Sequence, residues 1–148
     1  MRKFLVLLAV AWVATTLGSA SVAVERKLTH DLAFLDAAGA SNRVSEDWIY
    51  GWGTGLAAPL GAVALVAVLA VLSSMDHAPG RFGAFLLAVT GGLSLAYTLS
   101  NQVTEERLRS TGAQPLETGL VVATLALAAL LVLVGFTTWL TAPRERYS

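Results

Sequence analysis

Apolar residues fall into four long runs separated by polar stretches of unequal length. The runs cover Phe4 to Val24, Gly55 to Leu72, Phe82 to Asn101 and Leu120 to Leu140. Each is close to the roughly 20 residues with which a helix crosses ~30 Å of hydrocarbon. None carries Asp, Glu, Lys, Arg or His in its middle. The pattern predicts an all-α fold: a four-helix transmembrane bundle in one integral membrane domain, with an amphipathic extramembrane segment after helix 1.

The polar stretches give the connections. From Glu25 to Thr54, Leu28, Leu32 and Leu35 sit at i, i+4 and i+7, which predicts an amphipathic extension of the first helix ending near Gly39. Trp48-Ile49-Tyr50-Gly51-Trp52-Gly53 follows, aromatic rings alternating with glycine; Trp and Tyr favour the headgroup boundary. Pro59 falls near the start of the second span, where a missing N–H costs little. Ser73 to Arg81 contains Pro79-Gly80 and reads as a short turn between antiparallel neighbours. Thr104 to Glu117 forms a second polar loop before the fourth span, which Trp139 anchors at its end.

Four crossings place both termini and the 73–81 connection on one side. Arg2, Lys3, Arg81, Arg144 and Arg146 on that side balance Arg26, Lys27, Arg43, Arg107 and Arg109 on the other. The Arg2-Lys3 pair directly before the first span favours cytoplasmic termini in a plasma (inner) membrane. A basic start, an apolar run and small residues at Ser21 and Ala23 also describe a cleavable signal peptide. The length of that run and the further apolar spans downstream favour a retained helix.

Composition narrows the chemistry. Of 148 residues, 55% are hydrophobic and 14% charged, with mean hydropathy +0.66, where a soluble domain runs near 25% charged. Ten basic and ten acidic side chains cancel, so no global field suits nucleic acid. With no cysteine, disulfides, thiolate metal sites and Cys nucleophiles are excluded. Uncharged spans argue against a proton relay or a charge-coupled transporter. No phosphate-binding glycine loop or nucleophile elbow is present, and no cofactor or metal is called for. His77 lies in a tight connection and His30 on the amphipathic segment beside Asp31; the four-span layout puts them on opposite membrane faces, so a metal site would need mainly carboxylate ligands.

Within the third span, Ala84, Ala88, Gly92 and Ala96 recur every four residues, which predicts a helix-packing face for close approach in lipid. Thr90, Ser94 and Thr98 follow the same spacing beside it; such hydroxyls commonly bond their own backbone. This face points to a non-enzymatic membrane protein acting through helix packing, as a homo-oligomer or as an accessory subunit of a larger membrane complex. An alternative is a cofactor-independent membrane enzyme, or a binder of a hydrophobic small molecule. Its pocket would open at the outer mouth, lined by Trp48, Tyr50, Trp52, Tyr97 and Asn101, with Glu25 or His30 as polar contact. A channel built from oligomers is a third reading, against which stands the scarcity of polar lining.

The order of features resembles one known group. A first span leading into Glu25 and an amphipathic stretch, aromatics before span two, and a third span ending at Asn101 ahead of Arg107-Leu108 resemble the small four-helix membrane proteins grouped with fungal anthrone oxygenases. The residue matches are Glu25, Asn101 and Leu108. The resemblance implies a four-helix membrane fold; most members of the group have no assigned activity, so it implies little about a reaction.

Overall fold

The computed structural model describes residues 1–28, 44–50, 53–110 and 112–142, and of Asp47 and Tyr50 only the backbone. Its regular structure is helical: α1 (Arg2–Glu25), α2 (Val44–Tyr50), α3 (Leu60–Ser74), α4 (His77–Leu99), α5 (Gln102–Arg109) and α6 (Pro115–Thr141). Three of these, α1, α4 and α6, are long and apolar enough to cross a membrane. The fourth apolar helix, α3, has 15 residues, about 22 Å of rise.

Both α1 and α4 lie against α3 and α6. The shared core holds Leu5, Leu8 and Trp12 of α1, Val66 and Leu69 of α3, Leu87 of α4 and Leu131 of α6. Burial of such side chains contributes roughly 1.5–3 kcal/mol each when the reference is water; against lipid the gain shifts to close packing. Cross-links fix the two ends. At the turn end, Arg2 reaches Asp76 and Arg81 Nε donates to the Trp139 carbonyl (3.1 Å). At the loop end, Arg26 reaches Glu117, and Tyr97 and Asn101 reach Thr54.

Local chemistry moves several boundaries from those the sequence predicts. Helix α1 does not run on smoothly into the amphipathic stretch. Leu28 N–H donates to Ala23 O (2.8 Å) and Lys27 N–H to Val24 O (3.3 Å), while Lys27 takes φ +55°. That is a Schellman C-cap with lysine at the left-handed position, and Leu28 packs back towards Ala23. The expected amphipathic residues 29–39 lie outside the described residues. Between α3 and α4 the connection shrinks to Met75 and Asp76, and Pro79-Gly80 lies inside the first turns of α4. A proline there forfeits little, because the first N–H groups of a helix lack intrahelical partners. The expected 104–117 loop is largely helical: Asn101 Oδ1 accepts from Val103 N–H (3.2 Å) and caps α5, and Pro115 opens α6.

The small-residue stripe also departs from its expected path. Each four-residue step overshoots a full helical turn by about 40°, so Ala84 to Ala96 rotates by about 120° around the axis. Ala84 and Ala88 are buried, Gly92 is half-buried with nothing within 4 Å of a built Cβ, and Ala96 is exposed. The face that α4 does bury runs through Ala84, Leu87, Ala88, Gly91, Ser94 and Thr98. A Cβ on Gly91 would stand 2.8 Å from Ala128 O, and one on Gly135 would stand 2.8 Å from Ala84 O. Close approach of α4 and α6 therefore rests on Gly91 and Gly135, with Ala84 and Ala88 in the same seam.

Candidate functional site

Polar side chains collect at the loop end, around a buried non-helical segment. Residues 53–57 are buried yet have no helix to satisfy their backbone, so each N–H and C=O needs a named partner. Thr54 N–H donates to Ala57 O (2.9 Å) and Gly55 N–H to Leu28 O (3.0 Å). The Thr54 hydroxyl accepts from Ala57 N–H (2.9 Å) and Leu56 N–H (3.3 Å). The Thr54 carbonyl accepts from Tyr97 OH (3.0 Å) and Asn101 Nδ2 (3.4 Å). Trp48 Nε1 donates to Ala58 O (2.9 Å). Gly53 holds φ +101°, and a Cβ there would meet Ala57 O and Tyr97 OH at 2.6 Å each; only glycine fits this turn.

Beside this segment lies a charged cluster. Glu117, in the first turn of α6, is 1% exposed. Its Oε1 accepts from Arg26 Nη1 (2.6 Å) and its Oε2 from Arg107 Nε. Arg26 Nη1 also donates to Gln114 Oε1 (3.0 Å), and Thr118 Oγ1 donates to Arg107 O (3.3 Å). One carboxylate thus joins the ends of α1, α5 and α6. A buried carboxylate is tolerated where charge-assisted hydrogen bonds replace water on both oxygens.

Of the residues expected to line a pocket, Trp48, Tyr97 and Asn101 converge on residues 54–58. Their polar atoms are spent on backbone carbonyls and a helix cap. Glu25 is exposed at the end of α1, its side chain with no hydrogen bond or ion pair among the described residues. His30, Trp52 and the Tyr50 side chain lie outside the described residues. Of the span hydroxyls, Thr90 donates to its own helix at Leu86 O (2.8 Å), whereas Ser94 accepts from Trp12 Nε1 (3.2 Å) across the interior. No group of three His, Cys, Asp or Glu suited to a metal occurs among the described residues.

Sequence reading gives Arg26, Arg107 and Glu117 no site role: Arg26 falls on the expected amphipathic extension of the first helix, and Arg107 and Glu117 in the expected 104–117 loop. A usable signal was present: Pro115 followed by Glu117 marks a helix start, with an acid in the first turn. Comparison with protein-family models, with curated proteins and with solved structures finds no match to this chain.

Proposed function

We propose that this chain is a small polytopic integral membrane protein, a four-helix transmembrane bundle with both termini in the cytoplasm. It works by packing against other membrane components, as an accessory subunit or oligomer, and not by catalysis. One observation carries this reading: the polar groups gathered at the loop end are used to hold the protein's own chain, while large apolar side chains point outward on all four apolar helices. Leu7, Leu65, Val68, Leu93 and Leu133 are examples, and such continuous apolar exteriors suit lipid or a membrane partner. Because α4 spends Ala84 and Ala88 on α6, contacts with other chains would use these outer faces.

The test is membrane extraction followed by sizing. The chain should stay with membranes through alkaline carbonate washing and leave them only in detergent. Release into the wash would contradict the membrane reading. A particle in mild detergent larger than one chain would support assembly, and a single chain with no companion would count against it.

The convergence of Trp48, Tyr97 and Asn101 favours a second reading, a hydrophobic ligand held at this mouth. In that case Tyr97→Phe should change ligand retention more than thermal stability. Kinship with the anthrone oxygenase group, through Glu25, Asn101 and Leu108, stands as a proposal alongside it.

A further inference from the structure

A groove of about 270 Å³ runs between α1 and α3 towards the turn end. Val6, Val10 and Val13 line one side, and Ala67, Ala70 and Val71 the other, with Ser74 at its end. Lys3, Val6, Val10 and Val13 are spaced i, i+3, i+7 and i+10, so they share one face of α1. Lys3 is exposed, and its side chain has no hydrogen bond or ion pair among the described residues. The nearby acid, Asp76, is already paired with Arg2.

Lys3 and Val13 lie about 15 Å apart along the helix, at 1.5 Å per residue. That is one leaflet of a ~30 Å hydrocarbon core. The lining itself runs from Val6 to Val13, about 10 Å along α1, and its apolar walls suit a segment of one hydrocarbon chain. A cation one helical turn beyond an apolar slot, the two together spanning about one leaflet, matches one chemical class.

We propose that the α1–α3 groove holds a single anionic phospholipid of the leaflet at the turn end, an acyl chain along the valines and the phosphate against Lys3. The proposal rests on the membrane reading above. That reading is checked separately by carbonate extraction, so a soluble chain and a membrane chain without lipid preference are distinct results.

The experiment uses the full chain in mild detergent, offered phosphatidylglycerol or phosphatidylcholine of equal chain length, with bound lipid counted by native mass spectrometry. Wild type should retain one phosphatidylglycerol about fivefold better than phosphatidylcholine, the expectation for one basic residue at a membrane surface. Lys3→Glu should erase the preference. Ala67→Phe and, from the facing helix, Val10→Trp should each fill the slot and lower retention of both lipids. Val68→Phe, on an outer face away from the slot, should leave retention unchanged. Equal retention of the two lipids by wild type would overturn the proposal. So would undiminished retention by whichever slot-filling variant keeps wild-type helicity.

Discussion

At the turn end, α1 is tied by Arg2 to Asp76 at 3.0 Å, with the aspartate side chain 84% exposed. At the loop end the same helix is tied by Arg26 to Glu117 at 2.6 Å, with the glutamate 1% exposed. The two contacts are alike in chemistry and differ in surroundings. An exposed pair between mobile side chains contributes about 0–1 kcal/mol. A buried carboxylate bound by two guanidinium groups cannot lose a partner without leaving charge stranded. The loop end is therefore locked, and the turn end, with its two-residue connection and open groove, is held mainly by apolar packing.

Glu117→Ala tests that difference most sharply. It strands Arg107, whose side chain is 17% exposed, and should lower unfolding stability in detergent by about 3 kcal/mol. Circular dichroism during thermal unfolding reads this directly, and a loss under about 1 kcal/mol would mean that the end is not locked as described.

Next comes a pair of neighbours between the two ends. Gly91→Leu should cost about 1–3 kcal/mol, because the new side chain meets backbone of α6. Gly92→Leu should cost under about 0.5 kcal/mol, as expected for a surface position. Equal effects would contradict the seam assigned to α4 and α6.

This pair shows what the sequence makes legible and what it hides. Composition and run length reveal apolar helices because they are local properties. A four-residue repeat also looks local, but 3.6-residue geometry turns Gly92 and Ala96 away from the seam that Ala84 and Ala88 enter. Gly91, outside the repeat, is the α4 glycine that meets the α6 backbone. Pro79-Gly80 reads as a turn in isolation and is absorbed into α4, since helix starts tolerate proline. The charged cluster is least legible: Arg26 and Glu117 are 91 positions apart, and nothing in either neighbourhood announces the other. Residue type singles out Tyr97 and Asn101, yet their partner, the Thr54 carbonyl, is a backbone atom that no side-chain pattern marks.

Tyr97→Phe gives a smaller effect at the loop end. It removes one of two donors to the Thr54 carbonyl and should cost about 1 kcal/mol. No loss of stability would mean that the Asn101 bond alone suffices for the Thr54 carbonyl. Smallest of all is Asp76→Asn at the turn end, expected to change stability by under about 0.5 kcal/mol and to become undetectable in high salt. A cost near that of Glu117→Ala would erase the contrast between the ends.

The most direct measurement uses the absence of cysteine, which lets single-cysteine variants be labelled without background. Met75→Cys at the turn end and Ala113→Cys at the loop end would be treated with a charged, membrane-impermeant maleimide in sealed vesicles. Val68→Cys and Leu93→Cys, 64% and 66% exposed on the helix flanks, would be treated alongside. The account predicts that Met75→Cys and Ala113→Cys label from opposite sides of the vesicle, and that Val68→Cys and Leu93→Cys stay unlabelled because lipid covers them. Ready labelling of all four from one side would contradict it.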